Sequence, residues 1–283
     1  MTVTIGVIGG SGLYELEGLK VQAKKRVTTP FGEPSDELVW GEYGGVECVF
    51  LARHGVGHRI PPHGINFRAN TWALKSAGVQ RVLGVSAVGS LKLEIAPRDF
   101  VVPDQFYDHT RRRETTFFDQ GPVAHIALAD PYCPELRAAL SAACDERGVK
   151  YHAAGTYLCM EGPQFSTRGE SRAYRQLGFD VLGMTSATEA KLAREAELCY
   201  ATVALVTDYD CWHEADVTIE MVLANVAANV ANVKAVLAAA LPRAAAAPTC
   251  ACQHALAGAI ITDLKLVPAA TLERLRPLLA KYL

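Results

Sequence analysis

Residues 181–214, VLGMTSATEAKLAREAELCYATVALVTDYDCWHE, constrain the fold more than any other stretch of this 283-residue chain. Residues 181–184 are a short apolar run, and apolar residues of 192–196 recur at helical spacing. Between them, the serine and glutamate of SATE at 186–189 predict a capping box at a helix start. Residues 199–206 are apolar and rich in β-branched side chains, which is typical of a strand buried on both faces. The stretch therefore predicts a strand, a helix and a buried strand of an α/β fold.

An acidic segment follows the second of these strands. It places Asp208 and Asp210 beside Tyr209 and Trp212. Ligands of open α/β sheets bind outside the carboxyl ends of the strands, so two carboxylates beside aromatic rings indicate a site for a planar, nitrogen-rich ligand. Asp-x-Asp after a strand is also common as a turn with solvated carboxylates or as a helix N-cap. The rest of the chain decides between these interpretations.

Three further predicted strands end in small, polar or basic residues. They are 3–8, 46–52 and 79–85, which lead into Ser11, into Arg53 and His54, and into Ser86 and Ala87. A glycine-rich first turn can present backbone N–H groups to an anion, and the arginine guanidinium matches the geometry of phosphate. The first turn lacks the third glycine of a dinucleotide-binding fingerprint and the lysine of a P-loop. Together these strand ends predict a phosphate site.

Composition limits the classes of function. Half of the residues are hydrophobic and a fifth are charged, which is enough apolar material for one large α/β domain. A net charge of −2 provides no basic surface for nucleic acid. The N-terminus lacks a signal-peptide pattern, and the arginines at 111–113 read as part of a solvated charged loop. The apolar segment 217–240 carries charged residues and an asparagine stripe, so we expect a packed amphipathic helix and no membrane span.

The eight cysteines are scattered, mostly within apolar runs, which favours a reducing cytoplasm over a secreted disulfide scaffold. Cys250, Cys252 and His254 are the only cluster in the sequence. A single C-x-C-x-H without a second ligand pair is a poor predictor of zinc. We expect two ordinary thiols there and no metal, with a disulfide as the alternative.

Seven motifs then point to one family. They are IGGSG (8–12), RHGVGH (53–58), PPHGINFRAN (61–70), SAVGSL (86–91), MEGPQFSTRGES (160–171), GMTSATEAKLARE (183–195) and TDYDCW (207–212). In this order they resemble the 5′-methylthioadenosine phosphorylase branch of the trimeric purine nucleoside phosphorylase family. The resemblance implies a single nucleoside phosphorylase-like α/β domain over residues 1–283, with a central mixed, twisted sheet flanked by helices. It also implies cleavage of a purine–ribose bond by inorganic phosphate as co-substrate, with no metal or organic cofactor.

The resemblance assigns roles to individual residues. The implied phosphate ligands are Ser11, Arg53, His54, Ser86, the amide of Ala87, Thr185 and Ser166. The implied substrate contacts are Met184 under the ribose, Phe165 on the base, Asp208 and Asp210 at the purine, and an apolar 5′ wall of Ile219, Val222 and Leu223. His125 would pass for a core histidine by its apolar neighbours, but the family implies that it reaches a neighbouring subunit. We therefore expect a homotrimer or a dimer of trimers.

The Asp208 and Asp210 pair also predicts the base. A carboxylic acid can donate a proton to purine N7, and we expect Asp208 to be this general acid with Asp210 helping to hold it and the 6-amino group. Carboxylates accept from an amine whereas a 6-oxo group would require a donor, so adenine is favoured over hypoxanthine. The alternatives are a phosphorylase of inosine or guanosine, a nicotinamide-dependent oxidoreductase and a non-catalytic purine-binding protein.

Overall fold

A mixed β-sheet forms the centre of the computed structural model, which describes residues 3–10, 13, 15–213 and 218–283. Its strands are β1 (Thr4–Gly9), β2 (Lys20–Lys25), β3 (Leu38–Tyr43), β4 (Val46–Ala52), β5 (Val79–Ser90), β6 (Phe100–Val101), β7 (Gln105–His109), β8 (Tyr151–His152), β9 (Thr156–Met160), β10 (Val181–Gly183) and β11 (Cys199–Asp208). Along its main path the order is β2-β3-β4-β1-β5-β10-β9-β7. Strand β5 also pairs with β11, which continues to β6 and β8.

The pairing directions follow from the chain connections. Strands β1, β4, β5 and β11 run parallel to their neighbours within this group, whereas β3 pairs antiparallel with both β2 and β4. Strands β3 and β4 form a hairpin. All ten residues of β11 are buried, so the prediction of a strand covered on both faces is confirmed.

Helices cover both faces of this sheet. They are α1 (Phe67–Ser76), α2 (Pro134–Arg147), α3 (Arg168–Gln176), α4 (Ser186–Glu195), α5 (Ile219–Ala244), α6 (Ala269–Arg274) and α7 (Arg276–Leu279). Apolar residues of α2 and α5 pack on one face, and those of α1, α4 and the C-terminal segment form a second core cluster. The expected α/β architecture of a mixed sheet flanked by helices is therefore observed.

The ends of three helices show how local sequence signals are used. The capping box of Thr167 and Glu170 opens α3, and Gly148 closes α2 with a left-handed φ of 63°. The capping box predicted for Ser186 and Glu189 is wrong. Thr185 is the N-cap of α4, without a side-chain cap bond, and Ser186 is the first helical residue.

Within the described residues, one helix is long and apolar enough to cross a membrane by length and composition alone, at Val222–Ala244. Its second half is part of the core, where Val233, Val236 and Leu237 are fully buried against α2 and the sheet. Asn225 and Asn229 of the predicted polar stripe donate to the backbone oxygens of Thr207 and Val206 in β11. These contacts are those of a packed core helix, in agreement with the sequence prediction.

Candidate active site

A cavity of about 850 Å³ opens where β1 and β4 end. Most of the predicted site residues line it, from all parts of the chain. They are Arg53, His54, Ser86, Ala87, Phe165, Ser166, Met184, Thr185, Asp208, Asp210, Val222 and Leu223. A volume of this size is typical of a small-molecule site.

The cavity exists because the neighbour of β5 changes along its length. Strand β1 pairs with β5 as far as Gly84, and β10 pairs antiparallel with Gly89 and Ser90. Between these two partners, Ser86 and Ala87 have only β11 beside them. The sequence placed the end of this strand at residue 85, but pairing with β11 extends it to Ser90. Ser86 and Ala87 are therefore held on a strand and not in a loop.

Asp208 occupies the carboxyl end of β11 and is 7% exposed. Its Oδ1 accepts the backbone N–H of Asp210 at 2.8 Å, and its Oδ2 accepts the Thr207 hydroxyl at 2.7 Å. Burial raises the pKa of Asp208 above its ordinary value, with a smaller contribution from the charge of Asp210. A Cβ atom at Gly89 would lie 2.9 Å from Oδ1 of Asp208, so only glycine leaves room for this carboxylate. Burial therefore makes this carboxyl group easier to protonate than an aspartate in water.

Asp210 lies beside it at the start of a short 3-10 turn and is 4% exposed. Its φ of 52° is left-handed, a conformation that aspartate tolerates better than most side chains. Burial raises the pKa of its carboxyl group as well. Its Oδ2 is buried and forms no hydrogen bond of good geometry among the described residues, although the Ser171 and Ser166 hydroxyls are near this carboxyl group. A buried acceptor without a donor is costly, and a ligand N–H group would remove that cost.

At the other end of the cavity, Arg53 is 2% exposed and forms an ion pair with Glu189. Its Nε and Nη2 donate to the two carboxylate oxygens at 2.5 and 3.0 Å. Further bonds run to the backbone oxygens of Val85 at 2.6 Å and Ile8 at 3.3 Å. Burial by itself lowers the pKa of Arg53, but the Glu189 carboxylate outweighs this and raises it. One N–H group on Nη1 has no partner among the residues described, so Arg53 offers an anion one donor and a fixed positive charge.

His54 follows Arg53 and is partly buried. Its Nδ1 lies 2.9 Å from the carbonyl oxygen of Ile60, which can only accept, so Nδ1 carries a proton. Burial, followed by the charge of Arg53, lowers the pKa of His54 to about 4. Before an anion binds, the ring is therefore neutral near pH 7 and presents an unprotonated Nε2.

The N-terminus of α4 faces the same end of the cavity, through its N-cap Thr185. Ser186 does not cap this helix because its hydroxyl lies 2.8 Å from that of Tyr132. Glu189 does not cap it because its carboxylate binds Arg53 and the Tyr200 hydroxyl. The buried hydroxyl oxygen of Thr185 has no partner in the described part of the chain. An uncapped helix N-terminus is a favourable place for a phosphate.

Apolar side chains of α5 form the third part of the lining. Val222, Leu223, Val226 and Val230 contribute, whereas Ile219 is 64% exposed and does not line the cavity. The predicted apolar wall is therefore present, with Ile219 outside it. Ser11 and residues 214–217, which come before α5 in the chain, lie outside the described residues.

His125 also lies outside the cavity lining. Its side chain is exposed and its backbone N–H donates to Ala259 O at 2.9 Å. The interpretation as a core histidine is therefore wrong. Exposure is what a residue that reaches another subunit requires.

Sequence reasoning missed several residues that hold the site in place. Arg113 was assigned to a solvated loop, yet its side chain is 2% exposed. It donates to Glu161 and to the carbonyl oxygen of Met184 at 2.6 Å, and so fixes the loop before α4. Glu189 was assigned to a cap. In both cases the sequence contained the charge but no indication of its distant partner.

Comparisons with known proteins agree with this geometry. Residues 4–242 match the model of the phosphorylase superfamily. A protein of Koribacter versatilis, named S-methyl-5′-thioadenosine phosphorylase, is 54% identical over all of this chain and 97% of its own length. A protein of the same name from Saccharolobus solfataricus is 48% identical, over 91% of this chain and 97% of its own.

Solved structures are similar too. A methylthioadenosine phosphorylase from an antarctic soil metagenomic library has a TM-score of 0.94 and 46% identity, covering 98% of both chains. The methylthioadenosine phosphorylase of Schistosoma mansoni in complex with adenine has a TM-score of 0.87 and 38% identity, covering 92% of this chain and 99% of its own. The chain belongs to the phosphorylase superfamily and is an enzyme, a pentosyltransferase. The resemblance inferred from the motifs is confirmed.

Proposed function

We propose that this phosphorylase converts 5′-methylthioadenosine and inorganic phosphate to adenine and 5-methylthioribose-1-phosphate. The observation that carries the proposal is the division of one cavity into three chemically different parts. Two buried carboxyl groups line one part. The guanidinium group of Arg53 and the uncapped N-terminus of α4 line another, and apolar side chains of α5 line the third. The names of the relatives, and the adenine in the Schistosoma mansoni complex, support the same substrate.

Asp208 acts as the general acid. Phosphate oxygen attacks C1′ of the ribose as the bond from C1′ to N9 breaks, and the electron pair of that bond passes into the purine. Protonation of N7 by the carboxyl group of Asp208 neutralises the departing base, which contributes about 10²–10⁴-fold in rate for a well-placed acid. Solvent returns the proton to Asp208 after adenine has left. Burial raises the pKa of this carboxyl group, which supports its role as a proton donor.

Thr207 assists this step. Its hydroxyl carries one proton and has two acceptors, Asp208 Oδ2 at 2.7 Å and Val88 O at 3.1 Å. It can donate to Val88 while Asp208 is protonated and turn to Asp208 once the proton has moved to N7. This exchange stabilises the carboxylate as it forms.

Asp210 selects the base. Its buried Oδ2 lacks a donor, and the 6-amino group of adenine supplies one. A 6-oxo purine would place a second acceptor against this oxygen. A site built for a hydrogen bond rejects a ligand that cannot form it by about 10⁴-fold or more.

Phosphate binds at the opposite end. The proposed ligands are the fixed charge of Arg53, the amide and hydroxyl of Thr185, Ser86, the Ala87 amide and the N-terminus of α4. These four residues line the cavity. Ser11, His54 and Ser166 complete the predicted set. The bound anion then stabilises the ribosyl cation that it attacks.

The remaining contacts position the nucleoside. Met184 lies under the ribose and Phe165 on the base, and Val222 and Leu223 surround the methylthio group. His125 completes the site of a neighbouring subunit in a homotrimer or a dimer of trimers. The reaction uses no metal or organic cofactor and serves methylthioadenosine and purine salvage in the cytoplasm.

A product assay tests the proposal. Purified protein is incubated with phosphate and equal concentrations of 5′-methylthioadenosine, adenosine and inosine, and the released bases are separated by chromatography. We expect adenine to appear fastest from the methylthio substrate and only with phosphate present. Hypoxanthine as the main product would contradict the role of Asp210, and no cleavage would leave a purine-binding protein.

A further inference from the structure

Four cysteines form a cluster at the amino end of β11, opposite to the end that carries Asp208. The Sγ atoms of Cys133, Cys199, Cys250 and Cys252 all lie within 4.8 Å of one another. Cys133 precedes α2, Cys199 opens β11, and the other two follow α5. The sequence showed only the last pair and favoured ordinary thiols. The fold supplies the second pair that a metal site requires.

The sulfur positions match a tetrahedral ion better than disulfides. A Zn–S bond of ~2.3 Å implies about 3.8 Å between any two sulfurs of a regular tetrahedron. Cys250 lies 3.7 Å from Cys133 and 3.4 Å from Cys199. Disulfides would instead bring sulfurs together in separate pairs at about 2.05 Å. Cys250 has two near neighbours at similar distances, so no pairwise arrangement stands out.

The surroundings favour thiolates. Cys133 is the N-cap of the 14-residue helix α2, which has proline at its first position and no side-chain cap bond. The positive end of a helix dipole stabilises a thiolate at that place. Three of the four cysteines are buried and Cys250 is partly exposed, so an ion would have a path in while the site stays largely dry.

We propose that these four cysteines bind one Zn²⁺ as a structural tetrathiolate site. Tetrahedral sulfur ligation selects zinc or iron among the common ions, and a site filled by four protein ligands has no open position for a substrate. Strand β11 spans ten residues between Cys199 and Asp208, which places the cluster about 30 Å from the general acid. The ion therefore takes no part in phosphorolysis.

The role of the ion is to attach the C-terminal segment to the domain. The chain that follows α5 reaches α2 through Thr249, whose N–H and hydroxyl both donate to Glu135 at 2.9 and 2.6 Å. Cys250 and Cys252 come next, and the segment beyond them buries Leu256, Leu275 and Leu278. Zinc would join the start of this segment to α2 and β11 by bonds stronger than these hydrogen bonds.

Metal analysis of the full-length enzyme tests the proposal. Protein purified anaerobically without chelator is compared with the double variant Cys250→Ser/Cys252→Ser. The matched control is Cys48→Ser/Cys144→Ser, which changes two buried thiols outside the cluster. We expect one zinc per chain in the wild type and the control and none in the first variant. We also expect a chelator to lower the melting temperature of the wild type but not of the variant, with turnover retained at low temperature.

Cobalt substitution provides a readout that does not depend on the variants folding. Stripped, reduced wild-type protein titrated with Co²⁺ should develop the visible bands of a tetrahedral thiolate complex and saturate at one ion per chain. Absence of both zinc and a cobalt spectrum would overturn the proposal, as would iron in place of zinc. Equal zinc in the Cys250→Ser/Cys252→Ser variant would identify an adventitious ion. Fewer than eight alkylated cysteines after denaturation of the anaerobic protein would identify disulfides and overturn it too.

Discussion

Replacing Asp208 by asparagine separates proton donation from the shape of the site. The amide keeps the volume of the carboxyl group, and its oxygen can still accept the Asp210 N–H that Oδ1 accepts now at 2.8 Å. The substitution removes only the acceptor at Oδ2, which now accepts the Thr207 hydroxyl. The Thr207 hydroxyl has Val88 O as an alternative at 3.1 Å. We therefore expect folding to change by about 1 kcal/mol or less, the net value of one ordinary hydrogen bond.

Turnover should respond far more than folding. Loss of a positioned general acid lowers kcat by about 10²–10⁴-fold, which corresponds to about 3–5 kcal/mol in activation free energy. The assay is adenine release from 5′-methylthioadenosine at saturating phosphate, with Asp130→Asn as the control because Asp130 is exposed and outside the cavity. A substrate whose leaving group is a nitrophenolate needs no proton. The Asp208→Asn variant should cleave it at close to the wild-type rate.

Melting temperatures measured at a series of pH values provide a second test, because the direction of the expected change is known. Burial raises the folded-state pKa of Asp208 above 3.8, so the folded protein binds this proton more tightly than the unfolded chain. The stability that this group contributes is complete below 3.8 and is lost as pH rises through the raised folded value. Asparagine has no such loss. The melting temperature of the Asp208→Asn variant should therefore rise relative to the wild type across that window and then stay level.

Two results would refute the assignment of Asp208. Adenine release at the wild-type rate would remove the general acid. Equal loss of activity on the natural and the nitrophenyl substrates, with an unchanged melting temperature, would mean that Asp208 positions the nucleoside and does not protonate it.

Three further predictions concern other parts of the site. Glu189→Gln leaves the buried charge of Arg53 without its partner, so the free energy of unfolding should fall by about 3–5 kcal/mol in denaturant titrations. Glu273→Gln, which removes an exposed ion pair, should leave it nearly unchanged, and similar losses for both variants would contradict the importance of the buried pair. His54 has a pKa of about 4 in the folded protein against 6.5 in the unfolded chain, so the stability of the wild type relative to His54→Gln should decline as pH falls from 6.5 towards 4. A constant difference in melting temperature between the two proteins over that pH range would argue against a neutral, buried ring. Val222→Ser should lower kcat/KM for 5′-methylthioadenosine relative to adenosine by about tenfold, as measured by competition between the two substrates. An unchanged ratio of the two kcat/KM values would place the methylthio group elsewhere.

Much of the fold and of the candidate site could be read from the sequence because its signals are local. The fully buried strand β11 is visible as an apolar, β-branched run, and the polar residues that follow each strand identify one edge of the sheet. The capping box of α3 and the glycine that ends α2 involve residues only a few positions apart. In such cases the physical cause of the structure lies within one segment.

By itself, the sequence determined the α/β class, the family and most of the predicted residues that line the cavity, since these depend on local pattern and on motif order. Only the tertiary structure decided which distant groups meet. Glu189 looked like a helix cap but binds Arg53 from 136 positions away. Arg113 looked solvated but is buried, where it binds Glu161 and the carbonyl oxygen of Met184. Likewise, the C-x-C of the C-terminal segment gains Cys133 and Cys199 only when α2 and β11 pack together. The sequence gives the charge and size of each side chain, but the packing of segments that are distant in the sequence decides which group that side chain contacts.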